Sequence, residues 1–162
     1  MSTTVFIYTD GSCHTQLRIG AWASIILLNN EKITLCGQEN DTTHNRMEIL
    51  AVIHSILYVK KHFKEINSIH IVSDSQYVIG LIGRESKFIA NEFLTKAGNE
   101  VRNIDIVKEL LNLVSTMNIK FEKIKAHQKA TDEINFNIEV DKICRGIVRE
   151  TVNKTIKKAL KN

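Results

Sequence analysis

Proline is missing altogether from the 162 residues of this chain. Without it the strongest marks of turns and loops are gone, and element ends must be read from other residues and from hydrophobic periodicity. Cysteine is scarce as well: Cys13, Cys36 and Cys144 are odd in number, far apart and without a C-x-x-C pair. That pattern argues against a disulfide framework and against a structural zinc site. Long apolar runs are also lacking, since charged or polar residues interrupt every stretch, which excludes a membrane-spanning helix. The opening Met-Ser-Thr-Thr leads into a strand-like run with no basic leader or apolar signal segment, so a cytoplasmic location is expected. No repeat, low-complexity segment or linker divides the chain, and one domain over residues 1–162 is expected.

What is present fits a soluble globular protein, with 43% hydrophobic and 25% charged residues, enough for one buried core. A net charge of +4 and a pI near 9.0 permit a polyanionic partner without requiring one. Only the C-terminal stretch, with Lys154, Lys157, Lys158 and Lys161, is locally basic, and a solvated helix face accounts for it equally well.

Val5 to Tyr8 reads as a short strand, Ala21 to Leu28 as a longer one and Lys32 to Gly37 as a third. Asn29-Asn30 suits a hairpin turn between the last two. Thr42 or Thr43 can cap a helix whose Met47, Leu50, Ile53 and Leu57 recur at helical spacing. Ile69 to Val72 returns to strand character. Ser73 to Gln76 then has the form of a capping box, followed by an apolar helix through Ile82. Residues 84 to 102 are mixed and suggest a helical excursion. Ile106, Leu110, Leu113 and Met117 share a helix face, Ile119 to Ile124 forms the last strand, and a long helix runs from about Asn137 to the end. The order predicts an α/β fold, a mixed sheet flanked by helices.

Four carboxylates stand out. Asp10 ends the first strand beside Gly11, and Asp-Gly is a common turn pair. Glu48, Asp74 and Asp141 each lie near a helix start, where an exposed acid is ordinary. Together they can converge on one sheet edge. Carboxylates about 4 Å apart repel by roughly 4 kcal/mol per pair at an effective dielectric near 20. Such a cluster is costly unless cations fill it. Hard divalent ions such as Mg²⁺ take oxygen ligands, and a pair of them can activate water and stabilise the leaving oxygen of a phosphodiester.

At these residues the chain resembles bacterial type 1 ribonuclease H. The resemblance rests on Thr9-Asp10-Gly11-Ser12-Cys13, Thr42-Thr43-His44-Asn45-Arg46-Met47-Glu48, Ser73-Asp74-Ser75-Gln76-Tyr77-Val78 and Lys125-Ala126-His127, and it runs from about residue 4 to 150. The basic helix extension 151–162 comes after it. The resemblance implies a five-stranded mixed sheet, two Mg²⁺ ions (with Mn²⁺ as a possible substitute), and hydrolysis of the RNA strand of RNA–DNA hybrids leaving 3′-hydroxyl and 5′-phosphate ends. It implies that Asp10 bridges both metals, that Asp141 completes the water-activating site, and that Glu48 and Asp74 hold the second metal. His127 is then a proton-transfer or product-release group. Asn45 and Gln76 are the implied 2′-hydroxyl contacts, chemistry that separates RNA from DNA. Cys13 and Gln16 fall in a loop that tracks the backbone, while Thr43 and Asn103 form a DNA-phosphate pocket. A monomer is expected.

Three features depart from the family. Cys-His-Thr-Gln-Leu-Arg-Ile replaces the glycine- and proline-rich turn after Asp-Gly-Ser. The substrate handle, residues 84 to 108, holds five Lys/Arg against four acids. The stretch between His127 and Asp141 is long and lacks the expected glycines, so Asp132 rivals Asp141 as fourth ligand. Asn137-Ile-Glu-Val-Asp141 resembles the family's Asn-Glu-x-x-Asp and favours Asp141. An integrase or junction resolvase is disfavoured by the second acid being a glutamate early in the first helix. A catalytically weak or silent hybrid-binding module is disfavoured by four intact carboxylates.

Overall fold

A computed structural model describes residues 3–125 and 135–162. His127 and Asp132 lie outside the described residues. Ten elements run in order: β1 (Thr4–His14), β2 (Ile19–Leu28), β3 (Glu31–Glu39), α1 (His44–His62), β4 (Ser68–Ser73), α2 (Gln76–Gly83), α3 (Glu85–Ala90), α4 (Ile104–Ser115), β5 (Ile119–Lys123) and α5 (Phe136–Leu160). The five strands form one mixed sheet in the order β3-β2-β1-β4-β5. β1, β2 and β3 pair antiparallel as hairpins, and β4 and β5 join β1 in parallel after helical crossovers. This is the expected α/β architecture.

Asparagine does the work that proline cannot. Asn29 and Asn30 both take positive φ, 48° and 66°, the geometry of a two-residue hairpin turn whose twist matches the flanking strands. The unusual turn after β1 closes without glycine because Arg18 adopts φ 52°, its carbonyl accepts from Thr42 N–H and its guanidinium pairs with Asp41. Thr43 caps α1, its hydroxyl accepting from the Arg46 N–H.

Helix α1 is buried along most of its circumference, from Met47 through Ile53 and on to Ile56 and Val59, packed against β1, β2 and α4. The other sheet face is covered by α5. Every fourth residue of that helix, Val140, Cys144, Val148 and Val152, is buried against Ala21, Ala23, Ile25 and Ile19 of β2.

Several expectations need correction. β1 does not stop at Tyr8 but continues to His14, because pairing with β2 holds through Cys13↔Gly20 and His14↔Ile19. Asp10 therefore sits inside the strand, and Cys13 is in β1 rather than a loop. The cap of α2 is Ser75, which accepts from Val78 N–H; Ser73 stays in β4 and its hydroxyl accepts from Ser75 N–H, so no Ser73–Gln76 capping box forms. Leu57 points outward at 40% exposure, while Ser55 and Ile56 take the inward places. Met117 lies beyond α4, whose helix ends at Ser115, yet packs on the core.

Candidate active site

The floor of the site lies where the pairing of two parallel strands stops. Parallel pairing of β1 with β4 ends at Thr9↔Ser73, so the next residue on each strand, Asp10 and Asp74, emerges where the sheet opens between them. Asp-Gly serves here as a close-packing pair and not as a turn. A Cβ at Gly11 would meet the Glu48 nitrogen at 2.5 Å and the Met47 carbonyl carbon at 2.7 Å. Only glycine lets the start of α1 press against β1, and that contact carries the Glu48 side chain to the two aspartates.

Asp10, Glu48 and Asp74 each offer a carboxylate oxygen within 4.8 Å of the others. Asp141, one turn into α5, lines the same cleft of about 180 Å³ together with Ser12, His44 and Arg145. Its carboxylate is held by Arg145 Nε at 3.0 Å, one helical turn on. Glu48 is almost fully buried, which overturns its reading as an exposed first-turn acid. Its Oε1 pairs with His44 Nε2 at 3.2 Å, but its buried Oε2 has no hydrogen-bond partner. An orphaned, buried carboxylate oxygen facing two more carboxylates is costly as it stands and suits a hard cation.

Electrostatics agree. Burial, then the Glu48, Asp74 and Asp141 charges, push the Asp10 carboxyl up to about 9, against a small opposing pull from the Gly11 N–H. Burial also raises Glu48, partly countered by its hydrogen bond to His44. The same bond raises His44 in return. Beneath the site the Cys144 thiol donates to the Asp10 carbonyl at 3.3 Å, and burial holds that thiol well above the usual range. It is a buried support and not a nucleophile.

A family model for RNase H matches residues 2–148. The chain belongs to the ribonuclease H family. These are metal-dependent phosphodiesterases that act on RNA–DNA hybrids, and the carboxylate cluster is the kind of site such chemistry needs. The ribonuclease H of Caldicellulosiruptor saccharolyticus is 37% identical over 148 residues, covering 90% of this chain and 97% of that one. That of Wolbachia pipientis wMel is 34% identical, covering 87% and 92%. Among solved structures, a type 1 RNase H with the type 2 active-site motif superposes with a TM-score of 0.77, covering 93% of this chain and 74% of that one. At 15% identity that likeness concerns the fold. No described helix is long and apolar enough to cross a membrane.

The remaining candidates are spread around the cleft. Asn45 and Gln76 are exposed in the first turns of α1 and α2, next to the acidic trio in sequence, and neither is among the residues lining the cleft. Thr43 is engaged as the α1 cap, and Asn103 stands in left-handed conformation at the start of α4, its amide donating to the Tyr77 hydroxyl at 3.2 Å. The two helix starts are tied by Arg46, which grips Asp105 with both guanidinium nitrogens at 3.1 and 2.9 Å. Cys13 is half-buried with its thiol toward the Thr42 carbonyl, and Gln16 is exposed in the turn. Sequence reasoning missed His44, Ser12 and Arg145. Each was legible from spacing: His44 is four residues before Glu48 and Arg145 four after Asp141, hence on the same helix faces. Ser12 is two after Asp10, hence on the same strand face.

Proposed function

We propose that this enzyme hydrolyses the RNA strand of RNA–DNA hybrids at a site where Asp10, Glu48, Asp74 and Asp141 hold two divalent ions, Mg²⁺ with Mn²⁺ as substitute, leaving 3′-hydroxyl and 5′-phosphate ends. The observation that carries it is the carboxylate trio, Asp10 and Glu48 buried and Asp74 half-buried, with an unpartnered Glu48 oxygen. When bound, the ions supply water activation and stabilise the leaving oxygen.

The chain's own residues do the rest. Asp10, whose carboxyl feels the charges of Glu48, Asp74 and Asp141, would be the ligand shared by both ions. Glu48 would offer the ions its Oε2, since His44 occupies Oε1. Asp141, which lines the same cleft, would complete the set, its charge steadied by Arg145. It is preferred over Asp132 because Asn137-Ile-Glu-Val-Asp141 resembles the family's Asn-Glu-x-x-Asp stretch at the start of the last helix. Asn45, Gln76 and Glu48 meet the RNA 2′-hydroxyls, which can both donate and accept. Cys13 and Gln16 track the backbone, and Thr43 with Asn103 takes a DNA phosphate. His127 serves proton transfer or product release, so its replacement by Ala slows turnover without abolishing it. A monomer carries all four acids and suffices.

Incubation with labelled RNA–DNA hybrid, duplex RNA and single strands, with Mg²⁺ or with EDTA, tests this reading. Cleavage confined to the RNA of the hybrid and lost in EDTA is expected. Cutting that persists in EDTA, or that prefers single strands, would sink it.

A further inference from the structure

Charge in this molecule is divided along the chain. Residues 142–162 hold seven of the 22 Lys/Arg and one of the 18 Asp/Glu, net +6, while residues 1–141 are net −2. The basic residues of α5 are not evenly scattered. The row Val140, Cys144, Val148 and Val152 is buried on the sheet. One residue further round runs the next ridge: Asp141, Arg145, Arg149, Asn153 and Lys157. Residues four apart on a helix line up in such ridges. This one starts at the cleft and extends roughly 24 Å at about 1.5 Å per residue. Arg149, Asn153 and Lys157 are exposed, and neither Arg149 nor Lys157 has an acidic partner among the described residues.

A groove of about 280 Å³ opens along the first part of this ridge, sharing Ser12 and Arg145 with the catalytic cleft. Val148 and Val152 form its floor, and His14, Arg149 and Asn153 its rim. An apolar floor with cationic and amide edges fits the sugar faces and phosphates of one nucleic-acid strand. The handle offers much less. Its five cations sit among four acids, and Arg84 and Lys108 lie over the Phe88 and Phe93 rings at 5.4 and 5.0 Å. The family model's match ends at residue 148, so Arg149, Asn153 and Lys157 lie beyond the residues it matches.

We propose that the Arg149–Asn153–Lys157 ridge of α5 is a second binding track, which holds the phosphates of the RNA strand beyond the cleavage point. The inference rests on the hybrid-cleaving reading above for its choice of strand. Its test is binding, so that the two can fail separately. Anisotropy of a labelled RNA–DNA hybrid in EDTA is measured for the wild type and for Arg149→Glu with Lys157→Glu. The variant's Kd is expected to rise at least tenfold. Its salt slope should shrink by about two, from about −0.9 per phosphate contact. The same charge change off the ridge, Lys154→Glu with Lys158→Glu, should raise Kd less than threefold. Hybrids whose RNA strand carries neutral methylphosphonate linkages beside the cut should lower wild-type affinity to the variant's level and leave the variant's own affinity unchanged. Equal Kd and salt slope for wild type and ridge variant overturn the track, as does an equal loss from the off-ridge pair, or no binding of hybrid at all. Sensitivity to methylphosphonates in the DNA strand alone overturns the strand assignment. Ridge-dependent binding without any hybrid cleavage would leave the track standing and refute the nuclease reading.

Discussion

Asp10 is the residue on which protonation and metal binding meet. Its carboxyl, held up to about 9 by burial first and by three neighbouring carboxylates second, keeps a proton in the metal-free fold that it loses in the unfolded chain. Because the folded state binds the extra proton, this contribution to stability is fully present below about pH 4 and is lost as pH rises toward 9. Metal-free wild type is therefore expected to lose stability, and with it Tm, steadily between pH 5 and 9, by at most about 1.4 kcal/mol per pH unit for one proton. Asp10→Asn should flatten that decline, keep the fold and abolish cleavage; Asp74→Asn should abolish cleavage as well. Wild-type turnover in either variant would remove that residue from the site, and an unchanged pH slope in Asp10→Asn would show that another group holds the proton. Gly11 makes a sharper case of position without chemistry. A methyl there lands 2.5 Å from the Glu48 nitrogen, so Gly11→Ala must push α1 outward. Overpacking of this kind costs about 1–3 kcal/mol. Activity should fall much further than the Tm loss explains, because Glu48 leaves the trio. Near-normal kcat with a few degrees lost in Tm would mean that the cleft tolerates a displaced α1.

The elements differ in how legible they are in the sequence. Hairpin β2–β3, helix α1 and the long α5 can be read from apolar runs, asparagine turns and helical spacing, because each is anchored by its own set of buried apolar residues. β1 is longer than its apolar run suggests. Its polar second half, Asp10 to His14, is strand only because β2 pairs with it, and no local preference announces a long-range pairing. The carboxylates are legible as a set but not as a geometry, since Glu48 has the sequence surroundings of an exposed acid and is buried by the approach that Gly11 allows. The handle is legible as nearly charge-balanced, and the structure adds that Arg84 and Lys108 lie over aromatic rings. Replacing Lys87 and Lys96 by Ala is therefore expected to change KM less than about threefold, under 1 kcal/mol. Trimming the chain after Val152 should raise KM more than that, with circular dichroism as a control, since Ile156 and Leu160 are largely exposed and their loss should leave the fold intact. A large, salt-sensitive KM increase from the handle pair alone would reverse this ranking.

Viewed as a whole, the molecule draws its acidic site from parts that only folding brings together: β1, the start of α1, the end of β4 and the first turns of α5. Unfolding separates all four, so cations that bridge them bind the folded state and scarcely the unfolded one. Such a ligand stabilises by RT ln(1 + [L]/Kd), about 2.7 kcal/mol at a hundredfold excess over Kd. For a chain of this size 1 kcal/mol moves Tm by roughly 2–4 °C, so saturating Mg²⁺ is expected to raise Tm by about 5–10 °C. The proton on Asp10 must leave for the metal to enter, so the increment should grow from pH 6 to pH 9 as metal-free stability declines. Asp10→Asn should start from a higher metal-free Tm at pH 9 than wild type, because one repelling charge is gone, and should gain little from Mg²⁺. Differential scanning calorimetry of both proteins across that pH range, with Mg²⁺ and with EDTA, measures all three trends. If wild type and Asp10→Asn gain equally from Mg²⁺, the stabilising cation binds elsewhere, and the carboxylate cluster is not what joins these elements to the metal.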